Sequence, residues 1–315
     1  MTEPYDSVLL LGFGGPNRPE EIRPYLENVL RGRPVPPERF DEVAANYMAV
    51  GGRSPYNDLT FRQAQGLRRL LEAEGKALPV YVGMRNWNPL IAETLQEMVR
   101  NERQRAIGII LAPHQGEASW GRYFAALKQA EQETHRKVGD VLPRIDFCDP
   151  WFDHPLFIEA VSDKVRCKRD KVPYDQRSNL KTLFTAHSVP TPLCQPYLDQ
   201  LRRSCGLVAE EVGIEDWELV FQSRSGRPSD PWLEPDVCDA IRRVSSEGFR
   251  NVFLIPISFI CDHVEVQFDL DLKARQEAEA LGMGFFRACT VNDHPSFLRM
   301  LLDVVRRTQQ VSVPV

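Results

Sequence analysis

The chain has 315 residues, 43% of them hydrophobic and 26% charged, with a formal net charge of -5 and a pI near 5.8. That balance suits a soluble globular protein with a large core and more than one domain, and argues against a nucleic-acid binder, which would show a basic face. The seven cysteines are scattered from Cys148 to Cys289 with no C-x-x-C pair, which excludes a zinc ribbon and fits reduced thiols in a cytosolic protein. The opening MTEPYDSVLLLGF puts acids before a short apolar run, unlike a signal peptide, and no run reaches the length of a bilayer span. A cytoplasmic location without stable membrane insertion is expected.

In chain order, strands alternate with helices. Ser7 to Phe13 reads as a buried strand running into Gly14-Gly15-Pro16, and Pro19 to Leu30 as a helix. The Gly-Phe-Gly-Gly turn resembles a phosphate cradle but lacks the G-x-G-x-x-G spacing and the P-loop lysine, so a nucleotide site is not expected. Arg31 opens a basic, proline-stiffened loop that runs to Pro37. Helices are expected over Glu38 to Tyr47, Leu59 to Glu74, Pro89 to Asn101 and Gly121 to Thr134, with strands at Pro79 to Gly83, Ala106 to Ala112 and Ile145 to Cys148.

A second set repeats the plan. Strands are expected at Leu180 to Thr185, Glu218 to Gln222 and Asn251 to Ile257, with helices at Tyr197 to Val212, Pro235 to Glu247 and Pro295 to Thr308. The fold class is therefore α/β, with two doubly wound Rossmann-like domains of parallel sheet and a ligand cleft between them. The expected domains are residues 1–155 with the last helix, 295–315, and residues 156–294.

The stretch from Asn251 to Lys273 organises the second half. An apolar strand hands over to a segment in which Asp262, His263, Glu265, Asp269 and Asp271 fall close together. Read as an α-helix, it puts Glu265, Asp269 and Lys273 at i, i+4 and i+8 on one face. Of the six histidines, His135 and His154 read as surface or structural and His294 as a helix entry, while His114 ends a strand. His187 follows the strand Leu183-Phe184-Thr185 directly, so it shares a sheet end with the acidic cluster. Imidazole with carboxylate suits a divalent first-row metal, and equally an acid–base pair.

Several motifs taken together are similar to those of ferrochelatases. They are Leu9-Leu10-Leu11-Gly12-Phe13-Gly14-Gly15-Pro16, Tyr47 to Pro55, Gly83-Met84-Arg85, Thr185-Ala186-His187-Ser188-Val189-Pro190, Phe221 to Gly226, Asp230 to Asp236 and Pro256 to Glu265. The resemblance spans residues 8 to 297. It implies insertion of Fe²⁺ into a porphyrin, with His187 and Glu265 catalytic, and His187, Glu265 and Asp269 as the metal residues, Asp269 one turn on as a relay. The charged segment Arg31 to Arg39 makes the chain most similar to the short, soluble members that metallate coproporphyrin III. On that resemblance Phe13, Arg31, Tyr47, Ser54 and Tyr123 would contact the porphyrin.

The chain departs from the pattern at Phe13, where soluble members commonly carry Tyr. It departs also at Leu30 and Asn46, where some carry Arg, at Asn86, where some carry His, and at Lys273, where the acidic row stops. No cofactor is implied, since iron is the substrate, and the dispersed cysteines argue against an iron–sulfur cluster. A monomer is expected. The competing readings are a protoporphyrin IX ferrochelatase, a chelatase of the same architecture that inserts cobalt or nickel, and a non-enzymatic porphyrin or haem carrier.

Overall fold

The computed structural model describes residues 4–31, 37–76, 78–139, 142–225 and 229–311. The chain divides into two compact units. One comprises Met1–Ala112, Ser119–Trp151 and Asp293–Val315, and the other Pro113–Ala118 and Phe152–Asn292.

The first unit is built on β1 (Ser7–Gly12), which is flanked on both edges by parallel strands. Its sheet order is β2 (Val80–Met84), β1, β3 (Arg105–Ile110) and β4 (Arg144–Phe147). Val8 to Leu11 have no solvent exposure, as a parallel strand covered on both faces requires. Its helices are α1 (Ile22–Leu30), entered through a 3-10 turn at Pro19–Glu21, then α2 (Pro37–Ala49), α3 (Tyr56–Ala73), α4 (Ile91–Arg100) and α5 (Arg122–Val138). Leu9 and Leu11, two apart and so on one face of β1, pack with Ile91 and Leu95 of α4 and Leu127 of α5. Truncating either leucine to Ala should cost about 2–5 kcal/mol through the cavity left behind.

Gly14 and Gly15 are explained by packing. Gly14 has φ +84°, and a Cβ there would stand 2.9 Å from the Trp87 backbone nitrogen; one at Gly15 would stand 2.7 Å from the Ser54 Cβ. Both positions need the missing side chain for close approach, which accounts for the glycines without a phosphate.

The second unit repeats the sheet. Helix α6 (Pro155–Arg169) and the short α7 (Tyr174–Arg177) precede β5 (Leu180–His187), and α8 (Tyr197–Val212) leads to β6 (Trp217–Gln222). Helix α9 (Val237–Ser246) and β7 (Asn251–Pro256) follow, then a π-helix at Val266–Ala274, α10 (Arg275–Ala280) and β8 (Gly284–Arg287). The order is β6-β5-β7-β8, again all parallel. Helix α11 (Pro295–Val311) then returns the chain to the first unit. Pro113–Ala118 groups with the second unit, because His114 bonds to Ser204 and Gln115 to Gln200, both on α8.

Helices α6, α7 and α10 and strand β8 are additions to the expected elements. Helix α6 starts with a device used three times in this chain. His154, His263 and His294 each accept, at Nδ1, the backbone N–H two residues on, from Leu156, Glu265 and Ser296, each at 3.2 Å. Each thus satisfies one of the amide donors that a helix start leaves unpaired. Each follows an aspartate, and His154 and His294 precede a proline, which suits a first helical position.

Candidate active site

The second unit brings together the histidine and the acids singled out in the sequence. Strand β5 continues to His187 itself, which is in register with Gln222 of β6. The His187 backbone is gripped on both sides: its N–H donates to Ser258 Oγ at 3.0 Å, and its carbonyl accepts from the Tyr197 hydroxyl at 3.0 Å. Burial pushes the Tyr197 phenol above its ordinary pKa, so it remains a donor. Imidazole Nδ1 lies 2.5 Å from the Ser188 carbonyl oxygen. A carbonyl only accepts, so Nδ1 carries a proton, and in the neutral form of the ring Nε2 is the lone pair. Phe259 stacks edge-on between His187 and His263, with centroids at 6.2 and 4.3 Å.

Glu265 stands at the start of the π-helix, its amide held by His263. Its Oε2 is 3.8 Å from His187 Nε2, with the side chains 33% and 35% exposed. That separation is longer than a hydrogen bond. A carboxylate oxygen and an imidazole lone pair therefore face the same region, open to solvent, and both are donors to a cation. Burial lowers the His263 pKa from its ordinary value, against the pull of Glu265 and Asp262, and as a cap its Nδ1 accepts rather than donates.

Asp269 has a different environment. Burial raises its pKa and the nearby Glu265 adds to the rise, while the Ser223 hydroxyl, which donates to Oδ2, and Lys273 oppose it. Lys273 Nζ is 4.0 Å from Asp269 Oδ1, so the acidic row ends in a cation. Ser223 reaches Asp269 from a left-handed backbone, φ 61°, a conformation found more often where structure is held for a purpose. Among the described residues no group of three His, Cys, Asp or Glu side chains is placed to hold a metal ion. Glu265 pairs with His187, and Asp269 is held by Ser223.

The helix read through Glu265, Asp269 and Lys273 is wound as a π-helix over Val266–Ala274. Its buried positions Val266, Leu270 and Ala274, continuing to Ala278, recur strictly every four residues. An α-helix would mix threes with fours, whereas the wider π turn, with bonds five residues apart, suits fours alone.

The expected porphyrin contacts lie in the first unit. Phe13 follows β1, and its N–H donates to the Tyr56 hydroxyl at 2.9 Å. The Arg85 guanidinium lies over the Phe13 ring at 4.6 Å and the Tyr123 ring at 5.2 Å, a stack worth about 1 kcal/mol per ring. Tyr47 and Ser54 are buried. The Tyr47 hydroxyl donates to that of Tyr25 at 3.3 Å, and Ser54 Oγ accepts from the Tyr56 amide at 3.3 Å. Arg31 is exposed and donates to Asn28 Oδ1 at 2.5 Å; residues 32–36 of its charged loop lie outside the described residues. Asn86, a point of departure, bonds the Phe13 carbonyl through its backbone N–H at 3.0 Å and its side-chain amide at 3.1 Å, tying the ends of β1 and β2 together.

Ser223, Ser258 and Tyr197 had no assigned role in the sequence reading. Their partners Asp269 and His187 are 46, 71 and 10 residues away, and nothing local marks the pairing. Arg85 was visible only as part of a motif.

Two four-strand parallel sheets, with a histidine–carboxylate pair at the carboxyl end of one, define an α/β fold that solved chelatase structures share. SirB from Bacillus subtilis, a structure determined with Fe³⁺, superposes with a TM-score of 0.58 at 13% identity over 98% of this chain and 97% of that one. DR2241 from Deinococcus radiodurans, a multi-domain protein described as similar to chelatases, gives 0.51 at 15% identity over 96% of this chain and 55% of that one. The sequence narrows the class: the ferrochelatase family model matches residues 5–309. The coproporphyrin III ferrochelatase of Nocardia farcinica is 39% identical over 96% of this chain and 87% of its own length. The ferrochelatase of Rhodopirellula baltica is 40% identical over 96% and 86%, and the coproporphyrin III ferrochelatase of Mycobacterium tuberculosis 40% over 98% and 88%. The chain belongs to the ferrochelatase family.

Proposed function

We propose that this protein inserts Fe²⁺ into coproporphyrin III, with His187 and Glu265 as the catalytic pair. The observation that carries the reading is the facing of the His187 Nε2 lone pair and the Glu265 carboxylate at 3.8 Å. Metallation exchanges two pyrrole N–H protons for one dication. His187 Nε2 accepts a pyrrole proton, while Nδ1 keeps its own proton and donates it in a hydrogen bond to the Ser188 carbonyl. Glu265 attracts the incoming Fe²⁺ and shares the proton work, and Asp269, steadied by Ser223, is the next acid along the helix. A bent macrocycle exposes its nitrogen lone pairs, and the propionates supply the binding energy for that distortion.

The substrate assignment rests on charge and on likeness. Arg31 opens a segment with Arg33 and Arg39, and guanidinium groups bind carboxylates well, which favours a porphyrin with four propionates. Phe13, Tyr47, Ser54 and Tyr123 would contact the ring and its propionates. Two of the three relatives named above are called coproporphyrin III ferrochelatases. Among the described residues no helix is long and apolar enough to cross a membrane. We place the enzyme in the cytoplasm as a monomer, with no resident cofactor.

Substrate preference tests the assignment. The kcat/KM for coproporphyrin III should exceed that for protoporphyrin IX by about tenfold or more, the equivalent of one charged contact at about 1.4 kcal/mol. Equal efficiencies without detergent, or a preference for protoporphyrin, would remove coproporphyrin as the substrate.

A further inference from the structure

The π-helix is a rare winding, most often met as a single turn, yet here it runs over Val266–Ala274 beside the catalytic pair. Something outside the helix must hold it. Arg287, the last residue of β8, has a side chain only 11% exposed. Its Nε and Nη2 donate to the two carboxylate oxygens of Asp271 at 2.7 and 2.6 Å, a bidentate fork, and its Nη1 donates to Asp262 Oδ1 at 2.7 Å.

The two aspartates bracket the site in the chain. Asp262 lies three residues before Glu265, and Asp271 two residues after Asp269. Asp262 is itself fixed. Its backbone N–H donates to Asn292 Oδ1 at 3.0 Å, and its carboxylate accepts from the Asn292 side chain at 2.8 Å and the Thr290 amide at 3.2 Å. Asn292 holds a left-handed backbone, φ 50°, and its N–H donates to the Ile260 carbonyl at 2.7 Å. A planar, always-charged fork reaches both aspartates at once, which an ammonium group does not do with the same geometry.

We infer that Arg287 is a positioning residue for metal insertion: it clamps Asp262 and Asp271, and so fixes the π-wound segment that sets Glu265 and Asp269 relative to His187. The inference rests on the proposed role of Glu265 and Asp269 at the metal. Residues that orient metal-binding side chains from behind commonly change metal affinity or activity by about 10–100-fold when replaced. Asp271 and Arg287 act as one unit, so removing both should cost little more than removing either.

The test compares the full-length wild type with Arg287→Lys, Asp271→Asn and the double variant. Three quantities are measured: hydrogen exchange at residues 262–274, coproporphyrin III binding by fluorescence quenching, and metallation rates against Fe²⁺ concentration. The expected result is faster exchange confined to 262–274, unchanged porphyrin binding, and a KM for Fe²⁺ raised about tenfold or more in each single variant, with the double variant no worse. Unchanged exchange in that segment would overturn the clamp. A lowered melting temperature with the KM for Fe²⁺ intact would overturn it too, by reducing Arg287 to a purely structural role. Should the wild type metallate no porphyrin, the functional reading fails separately, and the exchange pattern alone decides whether Arg287 holds the helix.

Discussion

His114 gives a prediction whose size follows directly from its surroundings. The ring is 1% exposed, and Nε2 lies 3.0 Å from Ser204 Oγ. The Ser204 hydroxyl donates to the Phe152 carbonyl at 2.7 Å, so Nε2 carries the proton that Ser204 accepts. Nδ1 is buried without a hydrogen-bond partner. Protonating it would create a buried cation with an unpaired donor, and burial pushes the pKa from 6.5 down to about 3. The folded value is below the unfolded one, so the unfolded chain binds the extra proton first. The stability held by His114 is therefore fully present above about pH 6.5 and is lost progressively as pH falls toward about 3. At about 1.4 kcal/mol per pH unit, the loss reaches about 2 kcal/mol by about pH 5. His114→Gln keeps an amide donor within reach of Ser204 and removes the titration. Urea unfolding of both proteins between about pH 7.5 and pH 5 should show the wild type losing about 2 kcal/mol more than the variant. Parallel stability curves would refute the account of a neutral, proton-excluding His114.

Asp236 caps α9 by accepting the Cys238 amide at 2.8 Å; Asp236→Ala should cost about 1 kcal/mol, read as a lower urea midpoint with an unchanged slope. Tyr197→Phe removes the hydroxyl that holds the His187 carbonyl. It should lower kcat by about tenfold or less while leaving coproporphyrin affinity unchanged, as steady-state kinetics and fluorescence titration would show. Phe13→Tyr should give bound product a phenolate ligand, seen as a shift in its visible spectrum and slower release, whereas an unchanged spectrum and release rate would place Phe13 away from the ring.

Much of the fold was legible because parallel strands buried on both faces are written as unbroken apolar runs. Val8 to Leu11 and Val252 to Ile255 read as strands and are fully buried, and α8 spans the expected Tyr197 to Val212. Strand β8, Gly284–Arg287, was missed because it is four residues long and only half-buried. Helix α6 was not legible because its cap is imidazole Nδ1 of His154, an acceptor outside the usual Ser, Thr, Asp and Asn set. The π-helix had a signal in the strict fours of Val266, Leu270, Ala274 and Ala278, which an α template accepts without complaint. His187 and Glu265 were legible as neighbours because both follow strands of one sheet, whose register brings such residues together. The residues that grip His187 were not, since Ser258 and Tyr197 act through contacts that only the folded chain creates.

The central claim is that His187 and Glu265 together carry metal insertion. It is tested most directly by mixing purified protein with Fe²⁺ and coproporphyrin III in anaerobic buffer and following the absorbance change on metallation. The account predicts turnover by the wild type, and none above background for His187→Ala or Glu265→Gln, with both variants folded and binding the porphyrin as tightly as the wild type. Substantial turnover by either variant would contradict it.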